Sequence, residues 1–247
     1  FPAMDGDPAF WKPSAAEVRE FQSADLILLN GASYAKWTAW ASLPDSRTVN
    51  TSAAFRDLFI AVKADAAHQH GKGGEHSHAG TAFTTWLDFQ QAQQQAAAVH
   101  RALSSLLPTS SEVLANNFAA LQRDLVSLDA ELRGIAADLG DTPLLGSHPV
   151  YQYLARGYGF KIRSVHWEPD SMPDETGWAE LTALRKTHPA QVMLWEAAPN
   201  RAIADQLKTQ GIRGVVFAPC ANRPTATDWL AMMRANVAAL RLAPEID

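Results

Sequence analysis

Cysteine is nearly absent. Cys220 is the one thiol in 247 residues, so the chain has no internal disulfide and no paired thiolates for a structural zinc site. Any metal must be held by nitrogen and oxygen. Positive charge is also short, with 21 Lys+Arg against 26 Asp+Glu and a formal net charge of -5. No dense basic patch is available to follow a phosphate backbone, which argues against nucleic acid as a partner. No apolar run approaches the ~18 residues that mark a membrane span. The phosphate-loop pattern G-x-x-x-x-G-K-S/T, the dinucleotide pattern G-x-G-x-x-G, the elbow G-x-S-x-G and the zincin pattern H-E-x-x-H are all missing, and with them the commonest nucleotide and hydrolase chemistries. The sequence does not open on Met and shows no charged-then-apolar leader, so Phe1 is expected to follow a processed or omitted stretch.

What is present is a chain able to bury a core, with 47% apolar and 19% charged residues, a composition that excludes disorder. There are 8 histidines, and His68, His70, His76 and His78 fall within eleven positions of one another.

Local signals give an α/β order. Ser14 and Glu17 form a capping-box pattern that starts a helix running to about Ser23. Residues 24–29, stopped by Asn30-Gly31, read as a strand buried on both faces of a parallel sheet. Residues 64–82 are rich in Gly and His and read as a mobile loop. Asp88 is the expected N-cap of a helix over 89–106 that Pro108 ends. Thr109 to Glu112 reads as a second capping box. It opens a long helix with Leu114, Phe118, Leu121, Leu125, Leu128, Leu132, Ile135 and Leu139 at alternating spacings of four and three, stopped by Gly140. At ~1.5 Å per residue such a helix spans roughly 45 Å. Either it forms a coiled-coil dimer or it lies across two lobes and buries its stripe against both.

Beyond Gly140 the pattern becomes strand–helix repeats, with strands at 142–147, 160–167, 191–196 and 212–218 and helices at about 176–187, 200–210 and 227–241. This predicts βαβ units in a mainly parallel sheet. Ligands bind beyond the carboxyl ends of such strands, where His148, Glu196 and residues 218–220 lie.

The loop holds His-x-His twice, a set suited to transition-metal capture and equally to a solvated polar loop. His148 reads as a hydrogen-bonded ring or as a ligand. Glu196 follows an apolar strand, where it either caps a neighbour or faces a cation. For His166 and Glu168 the structural reading is preferred. Ser147 beside His148 makes no nucleophile–base pair, because neighbours on a strand point to opposite faces. Trp11, Trp37, Trp40 and Trp86 are expected in the core or at a lobe interface.

Taken in order, several segments resemble one family. They are residues 7–14 (DPAFWKPS), residues 24–31 (ADLILLNG), the His-rich loop, Trp86-Leu87-Asp88, the long helix, residues 147–153 (SHPVYQY), Tyr158-Gly159, Glu168-Pro169 and Trp195-Glu196. The resemblance is to the metal-binding (zinc and manganese) solute-binding proteins of bacterial ABC transporters. It implies two α/β lobes joined by one rigid backbone helix, divided as an N-terminal lobe over 1–108, a linking helix over 109–139 and a C-terminal lobe over 140–247. It also implies that an N-terminal strand and helix of the family are missing here. The implied partners are a membrane permease and a transition-metal ion, with a monomeric protein in the periplasm or another extracytoplasmic space and no enzymatic activity. Zinc is the implied cargo, ahead of manganese.

The resemblance also implies four ligand positions, and these are Ala9, Thr84, His148 and Ala218, of which only His148 can bind a cation. A substitute site is therefore expected from His148, His76, His78 and Glu196, with His68 and His70 as a capture loop. The alternatives are a binder of chelated metal or of a small organic solute, and a non-transporting metal-homeostasis or interaction module of the same fold.

Overall fold

The structure, a computed structural model, describes residues 8–62, 68–70, 74–76, 80–222 and 228–242. Ser14 and Glu17 cap each other as expected. The Glu17 amide donates to Ser14 Oγ at 3.3 Å and the Ser14 amide to the Glu17 carboxylate at 2.7 Å, which starts α1 (Ala15–Ser23). Strand β1 (Ile27–Leu29) pairs in parallel with β2 (Thr48–Asn50). The expected strand buried on both faces is not what forms. These two strands make a sheet of their own, and Leu28 is 40% exposed. Trp37 is buried against Trp11 and Phe21, with ring centroids 5.9 and 4.9 Å away, and a small aromatic core results. Trp40, expected inside, stands 61% exposed at the rim of that core.

Four short strands follow: β3 (Ala61–Val62), β4 (His68–His70), β5 (Gly74–His76) and β6 (Gly80–Thr81). β3 pairs antiparallel with β6, and β4 with β5, so that His68 stands opposite His76 in register. The expected loop thus contains a hairpin. Its fourth histidine, His78, lies outside the described residues, as does the greater part of the 64–82 segment.

Asp88 caps α2 (Phe89–Leu106), with Oδ1 accepting from the Gln90 and Gln91 amides at 3.0 and 3.4 Å. A 3-10 turn, Pro108–Ser110, leads into α3 (Ser111–Leu139). The second capping box does not form. Ser110 occupies the cap position at φ -103°, ψ 10° and makes no capping bond, because the turn holds it away from the extended backbone that capping needs.

Leu125, Leu128, Leu132, Ile135 and Leu139 of α3 enter a core that also takes Phe89, Leu144, Leu154, Phe217 and Val237. Nearer the N-terminus, Phe118 stacks on His100 of α2 with centroids 4.6 Å apart. The apolar stripe is therefore covered from within the chain, which removes the coiled-coil reading.

The remainder is β7 (Pro143–Gly146), α4 (Gln152–Tyr158), β8 (Lys161–Ser164), α5 (Glu175–Thr187), β9 (Val192–Trp195), α6 (Arg201–Thr209), β10 (Arg213–Val216) and α7 (Trp229–Arg241). The alternation is the expected one, with α4 as a helix not among those expected from the sequence. The four strands form one parallel sheet in the order β10-β9-β7-β8. One face meets the core shared with α3. The other carries Leu145, Met193 and Trp195 against Leu181, Ile203 and Leu207 of α5 and α6. Coverage of both faces explains the continuous apolar run Val192 to Trp195, all buried. No helix among the described residues is long and apolar enough to cross a membrane.

Candidate metal centre

Three of the four ligand positions implied by the resemblance have become structural. Ala9 is fully buried. Thr84 is buried too, and its hydroxyl donates to the Val150 carbonyl at 2.6 Å. Ala218 is held at both ends by Asn236, whose Oδ1 accepts from the Ala218 amide at 3.0 Å and whose Nδ2 donates to its carbonyl at 2.7 Å.

His148 remains, only 7% exposed, just beyond the carboxyl end of β7. Its Nδ1 lies 3.8 Å from Glu168 Oε1, and its ring meets that of His166 at 5.7 Å between centroids and 83° between planes. This placement follows from the backbone. β7 and β8 end in register at Gly146 and Ser164, so His148 and His166 each come two residues after the last pair. The Val165 amide then donates to the Gly146 carbonyl at 3.0 Å and the Trp167 amide to the Ser147 carbonyl at 2.7 Å, bonds that flank His166 on one strand and end at the residue before His148 on the other. His166 and Glu168, for which a structural role is expected, both lie against His148. The available signal was two strands each followed at the same offset by histidine. Only the register, which no local pattern reveals, brings the two together.

Glu196 is half-buried at the end of β9, beside β7 in the same sheet. Burial first, and the Glu196 charge second, push the Tyr151 hydroxyl well above its ordinary range. That hydroxyl therefore stays protonated and donates to the Phe217 carbonyl at 3.0 Å. Among the described residues no three His, Cys, Asp or Glu side chains are gathered closely enough to hold a metal. The carboxyl edge alone supplies an incomplete site.

The two ends of the His-rich segment are fastened next to this edge. Tyr153 of α4 accepts from the Ile60 amide at 3.1 Å and donates to the Ala82 carbonyl at 3.0 Å. Ile60 and Ala82 also pair with each other, amide 82 to carbonyl 60 at 2.9 Å. Arg156 adds a bond to the Leu58 carbonyl at 2.6 Å. The roots of residues 63–79 are thus clamped to the helix that follows His148.

A second seam joins the halves elsewhere. Trp86 Nε1 donates to the Pro219 carbonyl at 2.6 Å, and the Tyr34 hydroxyl donates to the Ala221 carbonyl. Beside them lies a cleft of about 330 Å³ whose walls include Tyr34, Trp86, Trp229, Asn30, Gln95 and Cys220. Among the described residues its lining has no carboxylate or imidazole, and burial pushes the Cys220 thiol up to about 11. A protonated thiol and neutral amides give a bare cation little to bind.

A fold of this kind is known from solved structures. The metal-dependent lipoprotein YcdH of Bacillus subtilis superimposes with a TM-score of 0.79 at 21% identity, over 98% of this chain and 88% of that one. In sequence, the high-affinity zinc uptake system protein ZnuA of Bacillus subtilis is 24% identical over 208 residues, covering 83% of this chain and 65% of that protein. The zinc-binding protein TroA of Treponema pallidum is 26% identical over 163 residues, covering 64% of this chain and 49% of its own length. The chain thus spans about half to two thirds of the curated relatives it matches. Their names are those of binding and uptake proteins, not of enzymes. With residues 3–243 matching the family described as zinc-uptake complex component A, periplasmic, and with the two-lobed fold and its long helix in place, the chain belongs to that family.

Proposed function

We propose that the chain is the extracytoplasmic binding component of a transition-metal uptake system, and that it captures its cargo at a substitute site built on His148. Zinc is the favoured cargo and manganese the lesser one, because an imidazole-based donor set suits zinc better than an oxygen-seeking cation. The observation that carries this reading is the Tyr153 clamp, which fastens both roots of the His-rich segment to the helix that follows His148. The segment containing His68, His70, His76 and His78 collects metal, His76 and His78 join His148 at the cleft, and Glu196 contributes negative charge. The division into an N-terminal lobe (1–108), a linking helix (109–139) and a C-terminal lobe (140–247) belongs to the same reading. As a monomer, the two lobes dock on a membrane permease of the ABC class. A long helix packed against both halves permits only small rocking, so release depends on contacts with the permease more than on wide hinge opening.

Zinc titration against a competing chelator tests this. About one equivalent should bind, and both deletion of 68–78 and His148→Ala should weaken it. Unchanged affinity in both variants overturns the reading. The neutral, aromatic-walled cleft beside Trp86 and Trp229 favours a second reading, a binder of chelated metal or a small organic solute. In that case bare zinc binds weakly and a metallophore raises the melting temperature instead.

A further inference from the structure

We infer that His166 is a second metal ligand supplied by the C-terminal lobe, and that Glu168 orients His148 as a positioning residue. This rests on the proposed metal-uptake role and deepens it.

Of the four histidines whose side chains are described, two have other roles. His188 Nε2 bonds to the Leu144 carbonyl at 2.8 Å, and His100 stacks on Phe118. His148 and His166 face each other at the carboxyl edge of a parallel sheet. Their separation has the size that a shared cation requires. Zinc lies about 2.0–2.1 Å from an imidazole nitrogen and hence about 3.2 Å from the ring centre, so two rings at a tetrahedral angle have centres about 5.2 Å apart. The observed distance is 5.7 Å. Small side-chain rotations cover the difference, and no backbone movement is needed. The main-chain bonds of Val165 and Trp167 to Gly146 and Ser147 hold the two backbones that carry these rings beside each other, which favours a site held ready for its ligand.

Glu168 Oε1 lies on the Nδ1 side of His148 at 3.8 Å. At that distance the contact is electrostatic, beyond hydrogen-bond reach. The negative charge favours the tautomer with hydrogen on Nδ1 and leaves Nε2 as the lone-pair donor, and a shift of under about 1 Å would close the hydrogen bond common behind metal-ligating histidines. The result is a two-imidazole half-site. Among the described residues no third donor joins it.

The test is zinc titration with a competing chelator on the full chain and on His148→Ala, His166→Gln and Glu168→Gln, each checked by circular dichroism. His166→Gln should weaken zinc by roughly tenfold or more, as His148→Ala does, and Glu168→Gln should weaken it by about 10–100-fold. Loss on His148→Ala with unchanged affinity in His166→Gln overturns this inference and leaves the metal-uptake reading standing. No zinc binding by the unsubstituted chain overturns both. Should His166→Gln fail to fold, ¹⁵N-imidazole NMR of the unsubstituted chain decides. Zinc then shifts the ring nitrogens of both His148 and His166 if the inference holds, and those of His148 without His166 if it fails.

Discussion

Asp88 caps α2 while lying largely buried, with Gln91 Nε2 donating to its Oδ2 at 3.2 Å and Gly157 packed closely against it. Burial raises its pKa, against the lowering effect of the Gln90 and Gln91 amides and of Arg156. The sign for stability follows by linkage. The folded chain holds this proton more tightly than the unfolded chain, so stability falls as pH rises from the ordinary Asp range to the raised value, and the loss persists above it. Asp88→Asn keeps the capping oxygen and removes the charge, and Gln91 Oε1, which has no partner among the described residues, becomes an acceptor for the new amide. Thermal melts across that interval should show a shallower decline for Asp88→Asn than for the parent, whereas Asp88→Ala should lose about 1 kcal/mol with its cap. A parallel decline in parent and Asn variant would remove Asp88 as its source. The cap itself is legible in the sequence because it depends on neighbours two and three positions away. The burial that makes it costly depends on Gly157, and no local pattern announces that.

At the scale of elements the same division holds. The longer helices and the strands of the C-terminal sheet were legible because periodicity, caps and glycine stops are local, whereas α4, seven residues long and without a side-chain cap, went unread. The N-terminal strands, two or three residues long, carry no period to read, and the second capping box failed where Pro108 tightened the entry to α3. The His148–His166 pair needed the β7/β8 register, a non-local fact. The end of α3 allows a clean test of how much of its stop is backbone conformation. Gly140 sits at φ 53°, ψ -123°, and a Cβ there would meet nothing within 4 Å. Gly140→Ala therefore carries only conformational cost, expected at about 1–2 kcal/mol. Gly134, inside the same helix, also has open space around a Cβ, so Gly134→Ala should stabilise by about 0.5–1 kcal/mol. Chemical denaturation reads both. Opposite signs are expected, and equal signs would show that the φ at 140 is not what ends the helix.

Across the whole molecule, one hydroxyl ties the roots of the His-rich segment to the helix that follows His148. Tyr153 is fully buried, and its oxygen serves both Ile60 and Ala82, the roots of residues 63–79. Its helix begins four residues after His148. Under the proposed function, such a clamp would raise the effective concentration of the tethered histidines near His148 without any new contact to metal. Tyr153→Phe strips one donor and one acceptor of their buried partner, and should lower stability by about 1–3 kcal/mol. If tethering matters, it should also weaken zinc binding in the unsubstituted loop and have no further effect once His68, His70, His76 and His78 are replaced by glutamine. That is a double-mutant cycle with a large coupling term. Tyr158→Phe is the control. Its hydroxyl bonds to the Phe89 amide and the Asp129 carboxylate, away from the loop roots, so it should cost stability and leave zinc unchanged. Additive losses of affinity from Tyr153→Phe and the loop substitutions would mean that the clamp holds the fold together without positioning the histidines, and the substitute site would then have to close without its tether.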